Sequence, residues 1–139
     1  MAVHMIKLCV GIDSVEHLIQ VRKMNRAKHA KDYNFHITRF RPKRAQEILE
    51  GGSIYWVIKG FVTVRQRIIG FEDVDTDHGK KCMIKMDTEL HLTQSQPRRP
   101  FQGWRYFEES VAPKDFPKGQ NITDIPPEMK NDLRNLGLI

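Results

Sequence analysis

Cysteine is scarce in this chain of 139 residues: Cys9 and Cys82 are the only two, and they form no CxxC pair. That excludes a disulfide framework and a thiolate zinc site, and it points to a reducing, cytoplasmic setting. No apolar run approaches the roughly 20 residues that span a bilayer, and MAVHMIKLCVGIDS has neither a basic n-region nor a small-residue cleavage site. Neither a membrane segment nor a secretory signal is expected. A glycine-rich phosphate loop is missing in both common forms, which argues against a nucleotide-binding α/β fold. The six histidines include no HxxxH pair and no cysteine at ligand spacing, so no metal and no cofactor are expected. Internal repeats, linkers and low-complexity segments are also lacking.

Positive charge is present and unevenly placed. Residues 1–70 hold 13 Lys and Arg against 5 Asp and Glu, whereas residues 71–139 hold 10 against 12. Arg22 to Arg44 contains nine basic residues and a single acid, Asp32. Such a surplus fits a phosphate-bearing partner such as RNA, because clustered Lys and Arg bind polyanions through charge attraction and counterion release. A solvated helix face would carry the same pattern.

The hydrophobic pattern is α+β. MIKLCVGI reads as a strand. Asp13 and Glu16 then form a capping box for a helix over Ser14 to Ala30, with Val15, Leu18, Ile19 and Arg22 on one face. NFHITRF reads as a strand closed by Pro42, and PKRAQEILEGG as a short helix stopped by Gly51-Gly52. SIYWVIK and VTVRQRIIGFEDV are strand-like, with Gly60 as a bend or bulge between them. In the second, Val62, Val64 and Ile68 are expected on one side, with Thr63, Arg65 and Arg67 on the other. DTDHGKK is a polar turn leading to the return strand KCMIKMD, and DIPPEMKNDLRNLGL a short last helix. Mostly adjacent short strands with few helices favour a small curled antiparallel sheet or β-barrel with flanking helices over a parallel, doubly wound sheet. A single domain is expected, with residues 33–139 as the sheet or barrel and 1–32 as a strand and basic helix packed on it.

Two segments draw the eye as binding surfaces. In GGSIYWVIKG, Trp56 alternates with Ile54 and Ile58 and is expected in the core, which leaves Tyr55 as the exposed ring able to stack on a base. Lys59, Arg65 and Arg67 can meet phosphates nearby, and glycines at 51, 52 and 60 permit positive φ or close backbone approach. A helix C-cap would also account for Gly51-Gly52. In PRRPFQGWRY the flanking prolines stiffen Arg98 and Arg99, while Trp104 and Tyr106 alternate with Arg105. An edge strand kept soluble by prolines and arginines would look the same. The expectation is that Tyr55, Lys59, Arg65, Arg98 and Arg99 line one concave electropositive face, with Lys43 and Arg44 at its rim.

GGSIYWVIKG and QPRRPFQGWRYF, together with KLCVGIDSVE and HITRFRPKRAQEIL, resemble the alphaproteobacterial domain-of-unknown-function 1489 family over nearly the whole chain. That resemblance brings no function with it. The order HITRF, PKRAQEILEGG, SIYWVIKG, the RQRIIGFEDV/CMIKMD hairpin and the PPEMKNDLRNLGL helix also resembles the layout of PUA-like domains, including their ASCH and EVE relatives. This second resemblance implies a closed β-barrel and a non-catalytic RNA-binding role.

An enzymatic alternative rests on two HxT tripeptides, His36-Ile37-Thr38 and His91-Leu92-Thr93. They are similar to the paired motif of two-histidine phosphoesterases. This implies that His36 and His91 serve as general base and general acid across a phosphate held by Thr38 and Thr93. The pair then has to face one cleft. A third possibility is a protein-interaction module whose exposed aromatics anchor an interface.

Overall fold

The computed structural model describes residues 3–29 and 32–115. Its longest feature follows from the β-branched run after Gly60: β4 (Phe61–Thr76) turns through Asp77 and His78 into β5 (Gly79–Pro97). Thr76 Oγ1 closes that turn, accepting from the His78 amide at 3.1 Å and donating to the Gly79 carbonyl at 2.8 Å. Ahead of this hairpin come β1 (Val3–Leu8), α1 (Val15–His29), β2 (Asn34–Thr38), α2 (Ala45–Leu49) and β3 (Ser53–Ile58); β6 (Trp104–Glu108) follows it.

Among the described residues the six strands form one sheet in the order β2-β5-β4-β3-β1-β6. All neighbouring pairs are antiparallel except β1 and β3, which run parallel. The α+β class stands, but the sheet is mixed and does not close into a barrel. Among the described residues β2 pairs only with β5 and β6 only with β1, so the two edges never meet. Helix-on-sheet packing removes the need for closure, because α1 and α2 cover one face and bury it directly. β1 lies inside the sheet, between β3 and β6, instead of packing on it as a separate element.

The helix-covered face holds the larger core. Val15 and Leu18 of α1 and Ile48 of α2 meet Met5, Ile54, Trp56, Val64, Ile68, Ile84 and Met86, all essentially inaccessible. The α1 stripe is the one expected, with Ile19 packed at its margin and Arg22 buried. Its cap is Ser14, not Asp13: Ser14 Oγ accepts from the His17 amide at 3.1 Å, while His17 Nδ1 accepts from the Asp13 amide at 3.2 Å. The histidine thus takes the reciprocal role that Glu16 was expected to play. A buried polar chain pins α1 to the sheet. Trp56 Nε1 donates to Gln66 Oε1 at 3.3 Å, and Gln66 Nε2 donates to Asn34 Oδ1 at 2.9 Å and to the Asp87 carbonyl at 2.8 Å. Asn34 Nδ2 in turn donates to the Arg22 carbonyl at 3.2 Å.

The second core, on the opposite face, contains Ile6, Tyr55, Val57, Val62 and Phe107. Residues 109–115 run across this face from β6 to β5. Ala112 packs on the cluster, the Gln94 amide donates to the Lys114 carbonyl at 2.8 Å, and Thr93 bridges Asp115. Val62 belongs here and not with Val64 and Ile68, because the β3–β4 register shifts between Trp56 and Val57: Val64 opposes Trp56 while Val62 opposes Val57. A bulge at Thr63 turns the strand over, which strict alternation cannot anticipate.

Gly52 is required by contact. A Cβ there would lie 2.3 Å from the Val3 carbonyl oxygen and 2.5 Å from that of Ile48, both backbone atoms. The gap admits only a hydrogen, so α2 and β1 pack against bare backbone at this point. The helix expected over DIPPEMKNDLRNLGL lies outside the described residues. Among those described, no helix is long and apolar enough to cross a membrane.

Candidate functional site

The PRRPF segment and β6 build a groove of about 640 Å³ on the face opposite the helices, lined by Arg98, Arg99, Phe101 and Arg105, with Ile6 and Phe107 in its wall. Three features of the chain bring these side chains together. Pro97 ends β5, Pro100 keeps the next residues extended, and the Arg98 amide donates to the Gly60 carbonyl at 2.8 Å, which ties the segment to the β3–β4 turn. Gly103, at φ 70°, then turns the chain into β6, where Arg105 opposes Ile6 and so shares its face.

The arginines are held by rings instead of acids. Arg98 lies over Phe107 at 4.9 Å and Arg105 over Phe101 at 5.1 Å. Neither they nor Arg99 form an ion pair among the described residues, and the Arg98 Nε is buried with no hydrogen-bond partner there. The acid in the lining, Glu108, is taken by Arg44 at 2.9 Å. Lys59, exposed, sits in the β3–β4 turn beside Gly60 and so next to this segment.

Other expected members do not join the groove. Tyr55 is not an exposed platform: it is 4% exposed, edge-on to His4 at 5.0 Å and to Phe107 at 5.2 Å, and burial pushes its phenol up to about 12. Both faces of β3 are covered, so the alternation that buries Trp56 does not expose its neighbour. Arg65 is engaged elsewhere. Its Nε and Nη2 donate to both oxygens of Asp115 at 2.8 and 2.7 Å, and its Nη1 donates to Ser53 Oγ at 2.9 Å. This fork raises the Arg65 pKa and lowers that of Asp115. Arg67 is exposed on a separate hollow with Leu49, Ile69 and Asp87. Trp104 opposes Lys7 on the helix-covered face, edge-on to Tyr106 at 5.0 Å. Arg44 is bound by Glu47 at 2.7 Å and by Glu108, over the Tyr106 ring; Lys43 is exposed.

The two HxT motifs fall on opposite faces. His36 opposes Ile84 on the helix-covered face, half-buried, and lies edge-on to Trp56 at 6.0 Å. Burial first, and then Lys7 and Arg22, lower its pKa to about 4. His91 opposes Arg65 on the other face, 3.5 Å from Glu89, and Thr93 is fully buried with its hydroxyl donating to the Gln94 carbonyl at 3.1 Å. With the sheet between them, His36 and His91 cannot flank one phosphate, so the paired-histidine site does not form. Among the described residues no group of three or more His, Cys, Asp or Glu could hold a metal ion.

Sequence reasoning passed over two groups. Phe101 supplies the ring under Arg105, and its signal was its place between the Arg98-Arg99 pair and Arg105. His4, 4% exposed, accepts from the Ser53 amide at Nδ1 (2.9 Å) while its Nε2 meets the Glu109 carboxylate, which joins β1, β3 and the crossing segment. No local pattern marks it.

Over the described residues, fold and groove together define an α+β architecture with an open, mixed six-stranded sheet, two helices on one face and an arginine-lined groove on the other. The family model described as "Protein of unknown function (DUF1489)" matches residues 5–139, and the chain belongs to that family. No curated protein and no solved structure matches it.

Proposed function

We propose that this protein binds RNA, or another phosphate-bearing polymer, through the groove of Arg98, Arg99 and Arg105. One observation carries the reading: three guanidinium groups line a single hollow with no carboxylate paired to them among the described residues. Surface arginines without a structural partner in the fold are free to exchange water and counterions for phosphate oxygens. Two of them are stacked on Phe101 and Phe107, which holds the forks in place and lowers the entropy lost on binding. Lys59, at the neighbouring turn, extends the positive surface. Phe101, half-buried in the groove, is the ring to which a base could stack in place of Tyr55. Two features set the binding apart from base readout: the contacts are cationic, and among the described residues no array of amide side chains faces the groove.

The test is binding of a single-stranded RNA oligomer across a salt series, by wild type and by R98E/R99E. The double reversal should weaken binding at least about tenfold and flatten the dependence of log K on log salt by roughly 1 to 2 units. Its folding, checked by circular dichroism, should be intact because neither side chain carries an ion pair among the described residues. Equal affinity and slope in the two proteins would sink the reading. Binding only to a protein partner, with little response to salt, would make the groove a protein interface.

A further inference from the structure

Arg22 is a cation where the apolar face of a helix should be. It continues the Val15–Leu18 stripe of α1, is 9% exposed, and has a buried Nε with no hydrogen-bond partner among the described residues. Its guanidinium stacks on Trp56, 4.9 Å from the ring centroid. No carboxylate among the described residues pairs with it. The titratable groups around it are Lys7, Cys9 and His36, and none supplies a negative charge: burial pushes the Cys9 thiol up to about 11 and holds His36 neutral. A buried charge without an anionic partner is costly, and an anion drawn from solution would offset that cost.

Space for that partner exists. A cleft of about 170 Å³ lies between β1, α1 and Trp56, lined by Lys7, Arg22 and His36 and by the apolar Leu8, Ile12 and Val21. It reaches the β1–α1 loop, where Val10, also in its lining, is 84% exposed. At roughly 30 Å³ per water, the cleft holds the volume of about five or six waters, too little for a nucleotide.

We propose that this cleft binds a small organic anion, with a carboxylate on Arg22 and Lys7 and a short apolar body against Leu8, Ile12 and Val21. A planar fork stacked on an indole presents its edge for paired hydrogen bonds to a carboxylate. Neutral His36 can donate one more. The rest of the lining is apolar, which suits a monocarboxylate better than a phosphate dianion that needs donors on every oxygen.

The experiment follows thermal unfolding and Trp56 emission, in a Trp104→Phe background, with butyrate, inorganic phosphate or chloride added at constant ionic strength. Butyrate should raise the midpoint saturably and shift the Trp56 emission, while phosphate and chloride should not. In R22M, which keeps the bulk and removes the charge, apparent butyrate affinity should fall at least about tenfold. Should R22M not fold, R22K decides: it keeps the charge without the fork and must bind more weakly. A missing butyrate response, a response to phosphate alone, or an unchanged response in the Arg22 variant overturns the proposal. R98E/R99E should retain the butyrate response, so this site and the groove stand or fall separately.

Discussion

At the scale of single residues, burial decides charge. His36 is a partly exposed polar residue of β2, set beside Trp56 with two cations in reach. Its folded pKa of about 4 lies below the ordinary 6.5, so the unfolded chain binds the proton more readily between those values. The contribution of the neutral imidazole is complete above pH 6.5 and is lost as pH falls toward 4. Urea unfolding should therefore show stability dropping by roughly 1–3 kcal/mol over that window, a drop that His36→Gln lacks. A variant with the same slope as wild type would mean that other groups set the acid response. Asp115 adds its loss lower, because Arg65 holds its pKa below the ordinary 3.8.

Elements are governed by backbone geometry that side-chain alternation does not describe. β3 and β4 are joined by two residues, Lys59 at φ 50° and Gly60 at φ 85°. Two positive φ values make the mirror-image turn that matches strand twist, and glycine fits the second position at no steric cost. Lysine at the first is strained, whereas asparagine tolerates this region. Lys59→Asn should thus stabilise the protein by roughly 0.5–1 kcal/mol, read as a higher midpoint in urea at an unchanged m-value. A destabilised variant would show that the Lys59 side chain contributes to the fold. The bulge at Thr63 belongs to the same scale: one extra residue moves Val62 across the sheet and leaves Arg65 on the face where Asp115 can reach it.

On the scale of the molecule, the face opposite the helices is held by chain far away in sequence. Arg65 and Asp115, 50 residues apart, form a two-bond fork that fastens residues 109–115 over Tyr55 and Thr93. Arg65→Ala should cost roughly 1–2 kcal/mol, since both groups are partly exposed and regain water. It should also speed amide hydrogen exchange at Gln94, whose amide donates to Lys114, while leaving RNA affinity nearly unchanged. A loss of RNA affinity as large as that of R98E/R99E would return Arg65 to the binding surface.

The α+β class, the α1 stripe, the long hairpin and the burial of Trp56 were legible in the sequence, because each rests on periodicity or turn chemistry confined to a few neighbouring residues. Arg98, Arg99 and Arg105 stood out for the same local reason: prolines and a glycine set their backbone. Only the tertiary structure decided which cations are paired with acids. Arg44 and Arg65 look in the sequence just like Arg98, but Glu47, Glu108 and Asp115 claim them through contacts that no spacing announces. Tyr55 was lost from the surface because residues 109–115 cross the face it occupies and Phe107 of β6 packs beside it. The openness of the sheet, the parallel β1–β3 pair and the separation of His36 from His91 were likewise settled by which strands meet. Pairing depends on the whole set of buried faces, whereas periodicity within one strand reports only that a face exists.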